Sequence, residues 1–110
     1  MNIQELCKEL NLTPVAGESG MDKEISGCYI GDLMSLAMAH LEEGYVWITI
    51  QSNLNVVAVS ALKEAACVIL ADGVTLDANA TVKADEEALA VFTTEDSAYT
   101  LAKKLGALGI

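Results

Sequence analysis

The pattern of apolar and polar residues changes three times between residues 45 and 73. Tyr45–Ile50 is rich in aromatic and β-branched residues without polar alternation, which is typical of a strand covered on both faces of a parallel sheet. Leu54–Ala66 follows with helical spacing, and Cys67–Ala71 is a second apolar strand that ends at Asp72-Gly73. This stretch therefore predicts one βαβ unit with a right-handed crossover.

The polar residues of the central helix are predicted to lie on one stripe. Ser60, Lys63 and Glu64 stand at positions i, i+3 and i+4, and Asn53 precedes Ser60 by seven positions. All other faces of this helix are apolar, so we expect it to pack against neighbours on more than one side.

The first part of the chain predicts a helix and a short strand. Residues 2–11 have amphipathic spacing, with Asn2 as the N-cap and Glu5 as its capping-box partner. Thr13–Ala16 contains a proline, which predicts an edge strand because proline cannot donate a ladder hydrogen bond. Residues 17–24 form a polar loop, expected to be a hairpin or a mobile segment.

The rest of the chain alternates between predicted strands and helices, with strand centres about every twenty residues. The fold class is therefore α/β, a three-layer α/β/α arrangement with a mainly parallel four- to five-stranded sheet built from serial βα units. The order of the strands stays open. The further predicted elements are strands Ile25–Ile30 and Leu89–Thr93, helices Leu33–Leu41 and Ala78–Glu87, and a last helix capped by Thr94 with Glu95 and Asp96 in its first turn.

Polar and turn residues follow each predicted core strand. In a parallel sheet these strand ends meet at one edge, where ligands bind and helix N-termini point. Amide and hydroxyl groups there suit a ribose, a base edge or another small polar group, and the alternative is that they only form turns and cap helices. The candidate ligand-binding residues are Asp32, Thr49, Gln51, Ser52, Asn53, Asn55 and Asp72.

Charge and composition restrict the partners. The formal net charge is −10, and all six basic residues are lysines, so nucleic acid and anionic membranes are not expected as partners. Without arginine, no guanidinium is available to clamp a phosphate or carboxylate. Because 53% of this short chain is hydrophobic, we expect apolar surface to be buried in a homodimer.

The residues needed for catalysis or metal binding are not found together in the sequence. It has no GxxxxGK[ST] or GxGxxG motif, and His40 is its only histidine, expected at the surface or an interface. Asp32 and Asp72 could coordinate a cation, orient a ligand hydroxyl, or only form turns and cap helices. The acidic runs 42–43 and 85–87 are interpreted as solvated. We expect no catalytic residue, no metal and no cofactor, and therefore not an enzyme.

The cysteines and the hydropathy pattern bear on the cellular compartment. Cys7, Cys28 and Cys67 are odd in number and embedded in apolar patterns, which indicates reduced core residues. The charged N-terminus is unlike a signal peptide, and no apolar run approaches the ~20 residues that span a bilayer. A cytoplasmic location is expected.

The residues GCYIGDLMSLAMAHLEEGYVWITIQSNLNVVAVSALKEAACVILADG resemble the DRTGG-type domain, a module found beside CBS domains, in some phosphotransacetylases and as stand-alone proteins. The resemblance covers residues 25–105 and is strongest in Trp47–Asn55 and Val68–Gly73. GDL after the first core strand and a WITIQ-like strand end followed by LN are similar to the stand-alone members. The layout is also similar to the N-terminal domain of HPr kinase/phosphorylase and, more distantly, to the uridine-nucleotide-binding domain of Mur ligases.

The sequence departs from this family in two respects: the Asp-Arg-Thr-Gly-Gly string is absent, and so is the phosphate loop of the HPr kinase catalytic domain. The resemblance therefore implies a fold, a tendency to dimerise and a regulatory or ligand-sensing role for a single domain over residues 1–110. It does not imply kinase activity. The alternative is a protein-interaction module without a small ligand, whose acidic surface meets a regulatory protein partner.

Overall fold

Five strands form one sheet in the computed structural model, which describes residues 1–110. Four of them run parallel, and the N-terminal strand pairs antiparallel at one edge. The sheet order is β1-β5-β4-β3-β2, a mainly parallel α/β arrangement that confirms the predicted fold class and supplies the strand order. The strands are β1 (Thr13–Ala16), β2 (Gly27–Ile30), β3 (Tyr45–Thr49), β4 (Cys67–Leu70) and β5 (Ala90–Thr93).

Helices cover both faces of the sheet, which gives three layers. Alternate strand residues point to opposite faces, so that Val46 and Ile48 pack on one side while Trp47 packs on the other. The helices α1 (Ile3–Leu10) and α5 (Ala98–Ala107) share the first side. The opposite side holds α2 (Met34–His40), α3 (Leu54–Leu62) and α4 (Ala78–Glu86).

The three helices on one side follow from the strand order. The chain steps from β2 to β3, β4 and β5 in a single direction, and a constant crossover hand places every connecting helix on the same face. Only the connection after β5 leads to the other face, where α5 packs. The segments after β4 and β5 therefore diverge to opposite sides of the sheet.

The N-terminal elements were predicted correctly. Asn2 caps α1 in a full capping box with Glu5, and the left-handed conformation of Asn11 ends the helix. β1 is an edge strand whose pairing with β5 becomes irregular after Pro14. The hairpin alternative for residues 17–24 is wrong, because β1 and β2 lie at opposite edges of the sheet and the segment forms a short 3₁₀ helix at Glu18–Gly20.

The central helix is shorter than predicted. It ends at Leu62 because Glu64 is left-handed (φ 58°), after which Ala66 N–H donates to Tyr45 O at 2.8 Å to begin β4. It packs against α2 and α4, as expected for a helix with several apolar faces. The polar stripe is nevertheless not a solvent face, since Ser60 is fully buried while Leu62 is 69% exposed.

The predicted cap of the last helix is wrong. Ser97 caps α5 by accepting the N–H of Thr100 at 3.2 Å, whereas the Thr94 hydroxyl accepts the N–H of Asp96 at 3.2 Å. The helix begins later than predicted because the backbone of residues 94–96 first accepts hydrogen bonds from the end of β4. Glu95 and Asp96 therefore precede the helix. All other predicted boundaries lie within two residues of the observed ones.

The cysteines and the single histidine lie where the sequence predicts. Cys67 is buried in the core, Cys7 and Cys28 pack against it half-buried, and all three thiols are free. His40 is exposed at the end of α2, where its ring stacks on Tyr29 at 5.9 Å between centroids. No helix in the structure is both long and apolar enough to traverse a bilayer.

Candidate functional site

A hydrogen-bond network joins the ends of β2 and β3 at the carboxyl edge of the sheet. Asp32 Oδ1 accepts the Thr49 hydroxyl at 2.9 Å and the Ile50 N–H at 3.0 Å. The N–H of Gln51 then donates to Thr49 Oγ1 at 3.2 Å. Thr49 is 2% exposed, so the network ties a solvated carboxylate to a buried hydroxyl. The second carboxylate oxygen, Asp32 Oδ2, has no protein partner and is left for solvent or a ligand.

Asn53 connects this network to the start of α3. Its Oδ1 accepts the N–H of Asn55 at 3.0 Å, which is the N-cap bond, and its Nδ2 lies 3.5 Å from Gln51 Oε1, a weak contact. The Asn55 side chain is exposed and makes no hydrogen bond within the protein. Asn53 Oδ1 is therefore used for helix capping, which is the predicted alternative to ligand binding. The side-chain amides of Gln51 and Asn55 retain unused donors and acceptors.

Ser52 belongs to the same edge but is bonded to the start of α4. Its hydroxyl donates to Asp77 Oδ1 at 3.2 Å, and its carbonyl accepts the Asp77 N–H at 3.0 Å. Asp77 is not among the residues predicted from the sequence. The signal was available, because an aspartate directly before a helical pattern is a common N-cap.

Asp72 lies apart from the other candidates, at the end of β4. Its N–H donates to Asp96 O at 2.9 Å, and the N–H of Gly73 donates to Thr94 O at 2.9 Å. These bonds close the sheet edge between β4 and β5, where the following segments diverge and a crevice is usual in open α/β sheets. A Cβ on Gly73, which has φ +73°, would lie 2.7 Å from Glu95 Oε2.

Buried Trp47 positions the loop that carries Asp32. Its indole N–H donates to Gly31 O at 2.9 Å, one residue before the aspartate. Trp47 comes from the middle of β3, so the strand holds this loop through both Trp47 and Thr49. The sequence predicts Trp47 only as a strand residue, because nothing in it shows which carbonyl oxygen will accept the indole N–H.

A cavity of about 600 Å³ lies at the opposite, amino edge of the sheet. Its wall contains Gly44, Ala66 and Leu89, which stand just before β3, β4 and β5. The acidic runs interpreted as solvated contribute to it, since Glu43 and Glu87 both line the cavity. This cavity was not predicted from the sequence, because its residues precede the strands, whereas the predicted site residues follow them.

No protein-family model matches this sequence, and no curated protein matches it. Among solved structures, the chain is similar to the CBS and DRTGG domains of the regulatory region of Clostridium perfringens pyrophosphatase, complexed with its activator diadenosine tetraphosphate. The TM-score is 0.74 at 13% sequence identity, over 93% of this chain and 44% of that chain. The chain thus spans less than half of that structure.

At this identity the likeness shows the fold alone. It supports a DRTGG-like fold, as the sequence resemblance implies. The relation to HPr kinase/phosphorylase remains a prediction, and so do the candidate ligand-binding residues.

Proposed function

We propose that residues 1–110 form a single DRTGG-like domain with a non-catalytic, ligand-sensing regulatory role. The domain works as a homodimer and binds a nucleotide-like or other small polar ligand at the carboxyl edge of its sheet. The observation that carries this proposal is the network of Asp32, Thr49 and Gln51, which joins two loops into one polar surface. Asp32 Oδ2 and the amides of Gln51 and Asn55 remain free to bind a ligand.

The fold supports the choice of ligand class. The similar regulatory region of the pyrophosphatase was solved with diadenosine tetraphosphate, a dinucleotide, bound as activator. In the present chain the net charge of −10 and the lack of arginine disfavour recognition through a polyphosphate. The free carboxylate and amide groups instead suit a ribose hydroxyl or a base edge.

The test is a thermal-shift screen of nucleosides, nucleotides, nucleotide sugars and diadenosine tetraphosphate against the full chain. A ligand at 100 times its Kd stabilises the folded state by ~2.7 kcal/mol, which raises Tm by several degrees. Any hit is then titrated against Gln51→Ala and Asn53→Ala. Asn79→Ala is the matched control, because Asn79 is an exposed amide on α4 outside the network.

The proposal predicts that Gln51→Ala weakens binding at least tenfold while the control leaves it unchanged. Asn53→Ala should weaken binding as well, although it also removes the α3 cap. A saturating ligand whose Kd is the same for the wild type and for both network variants binds elsewhere. That result would overturn the placement of the site.

The exposed apolar side chains favour a second candidate function, a protein-interaction module without a small ligand. Five of the eleven large exposed apolar side chains lie in or beside α2 and α3, which contact each other, and a monomer seldom leaves a large apolar patch uncovered. A flat ligand screen with a stable dimer in sedimentation would favour this function over the sensor. These five residues are Leu33, Leu36 and Met38 in or beside α2, and Leu54 and Leu62 in α3.

A further inference from the structure

Strand β2 forms one edge of the sheet and has no strand on its outer side. Proteins usually protect such an edge with a charged residue, a proline or a bulge, because its free N–H and C=O groups can pair with another chain. The opposite edge strand, β1, has this protection, since it contains Pro14 and its pairing with β5 is irregular there. The sequence of β2 is GCYI, with neither a charge nor a proline, and its pairing with β3 is regular. β2 is therefore an unprotected edge.

The hydrogen bonds at the end of β2 indicate which of its backbone groups are free. The N–H of Gly31 donates to Ile48 O on β3 at 3.2 Å. Alternate residues of a parallel strand bond to the same neighbour, so Tyr29 also faces β3, whereas Cys28 and Ile30 direct their N–H and C=O groups outward. No loop or helix bonds to those groups. They are available to a further strand.

Helix α2 ends the helical layer above this strand. α3 packs against both α2 and α4, so α2 is the last helix of its layer. Ala37 is the only buried residue of α2, and the helix nevertheless contains no lysine, aspartate or glutamate. Its polar side chains are Ser35 and His40 alone, whereas a solvent-facing helix usually has charged residues on its outer side. This composition is typical of a helix that another molecule covers.

Charged residues are almost absent from this part of the molecule. Asp32 is the only one between residues 25 and 41, and none occurs between residues 44 and 62. These two stretches form β2, α2, β3 and α3. They also contain seven of the eleven large exposed apolar side chains. The exposed apolar surface is thus mostly the uncharged surface, and the net charge of −10 belongs to the rest of the chain.

This distribution of charge favours a second copy of the chain as the partner. Each copy has a net charge of −10, so two copies repel each other wherever their acidic surfaces approach. The uncharged surface is where they can meet without bringing carboxylates together. A basic partner would instead be attracted to the acidic surfaces, and here it would find no counter-charge except Asp32.

We propose that the outer edge of β2 pairs with β2 of a second copy, antiparallel about a two-fold axis at Tyr29. The proposal rests on the homodimer of the proposed function and assigns its interface. In this register Cys28 exchanges hydrogen bonds with the partner's Ile30, and Ile30 does the same with the partner's Cys28. The two five-stranded sheets then join into one continuous sheet.

The antiparallel direction separates the one charge that this surface carries. Asp32 and the partner's Asp32 lie about six residues apart along the paired strands, which is about 20 Å at the rise of a β-strand. This distance exceeds the Debye length of about 8 Å at physiological ionic strength, so the repulsion between the two carboxylates is largely screened. The pairing does not use the hydrogen bond between Asp32 and Thr49.

The same two-fold axis brings α2 beside its copy at a normal packing distance. A crossover helix lies above the two strands that it connects, here β2 and β3. The midpoints of the two β2–β3 pairs are two strand spacings apart, about 10 Å. Packed helices have axes roughly 8–10 Å apart. Strand pairing and helix packing are therefore compatible, and contact between the helices covers exposed apolar side chains such as Leu36.

The first test is sedimentation equilibrium of the full chain, without ligand, for the wild type, Ile30→Lys and Val15→Lys. Ile30 and Val15 are exposed to a similar degree on opposite edge strands, and both substitutions change the net charge equally. Ile30→Lys should raise the dimer dissociation constant at least tenfold, because a lysine protects an edge from pairing. Val15→Lys should change it less than twofold. A monomeric wild type, or equal effects of the two variants, would overturn the proposal.

Hydrogen exchange of the wild-type chain tests the pairing without any variant. By NMR, the amides of Cys28 and Ile30 should exchange at least tenfold more slowly above the dimer dissociation constant than below it. The amide of Gly73, which donates to Thr94 O within each copy, should exchange at the same rate at both concentrations. If the chain dimerises while exchange at Cys28 and Ile30 stays constant, the interface lies elsewhere and the proposal fails.

Salt and a variant of α3 distinguish this interface from other contacts. Raising NaCl from about 0.05 M to about 0.5 M should leave the dimer as stable or make it more stable, because salt screens the repulsion between acidic copies. A dimer that salt weakens has an ionic interface, against the proposal. A dimer that withstands Ile30→Lys but is weakened by Leu62→Ser has its interface on α3, which also contradicts the pairing. These measurements contain no ligand, so a failed ligand screen does not affect them.

Discussion

The hydroxyl of Thr49 donates to Oδ1 of Asp32 at 2.9 Å, and this bond joins the ends of two neighbouring parallel strands. The two residues are 17 positions apart in the sequence, and the whole of α2 lies between them. Asp32 also accepts the N–H of Ile50, so one carboxylate oxygen holds both the Thr49 side chain and the backbone that follows it. These hydrogen bonds fix the loops at the carboxyl edge of the sheet without a bound ligand.

Replacing Asp32 with alanine should destabilise the protein. The buried Thr49 hydroxyl and the Ile50 N–H both lose their acceptor, which we expect to lower the free energy of unfolding by about 1–3 kcal/mol in urea titrations. Asp22→Ala, a change at an exposed aspartate outside the network, should stay within about 0.5 kcal/mol of the wild type. Equal stability of the two variants would contradict a structural role for the Asp32 network.

The caps of α5 can be compared directly. Ser97→Ala removes the hydroxyl that accepts the Thr100 N–H and should cost about 1 kcal/mol in thermal or urea unfolding. Thr94→Ala removes a turn hydrogen bond outside the helix and should cost less. If Thr94→Ala is the more damaging change, the helix is capped at Thr94 as first predicted from the sequence.

The apolar surface around α3 provides a test of dimerisation. Leu62 is 69% exposed, so Leu62→Ser should change monomer stability by less than about 0.5 kcal/mol. If this surface is the dimer interface, the variant should raise the dimer dissociation constant at least tenfold in sedimentation equilibrium. Tyr99→Ser is the control, because Tyr99 is 71% exposed and lies on α5 across the sheet. A dimer weakened only by the Tyr99 change would place the interface on the opposite face.

The cysteines should react slowly in the native protein. Burial raises the pKa of Cys28 to about 11, so only about one thiol in ten thousand is ionised at pH 7. Burial also raises the pKa of Cys67, which is fully enclosed. Because thiolate is the reactive form, iodoacetamide labelling of Cys28 should accelerate as pH rises towards 11. Cys67 should label only after urea unfolding, as followed by mass spectrometry.

Rapid labelling of Cys28 in the folded protein at pH 7 would show that the thiol is not buried as the structure describes. The matched comparison is the same reaction in urea, where both thiols should react at the rate of an unfolded peptide. Equal rates for Cys28 with and without urea would contradict the packing of its side chain against the core.

The pattern of the sequence was sufficient for the secondary structure and the fold class. Strands such as β3 are continuous apolar runs because both faces are covered by helices, and this appears in the sequence directly. The Asn2 cap and the edge position of β1 were equally readable, because capping boxes and proline act within a few residues. These features depend on local chemistry.

Tertiary packing decided which polar groups meet. Ser60 belongs to a polar stripe by sequence spacing, yet α3 lies between α2 and α4 and buries it. Helix α5 begins after Ser97 and not after Thr94, because the backbone after β5 first bonds to the segment at the end of β4, more than twenty residues away in the sequence. Helical periodicity describes one helix at a time and contains no information about its neighbours.

The two edges of the sheet differ for the same reason. The sequence determined that polar residues follow the strands, and a parallel sheet brings them to one edge, as Asp32 and Thr49 show. The strand order, which the sequence did not determine, places Asp72 beside Asp96, where the Asp72 N–H donates to Asp96 O. It also decided that Glu43 and Glu64 would meet in one cavity. Electrostatic energy depends on the distance between groups in space, and that distance is set by the assembled sheet.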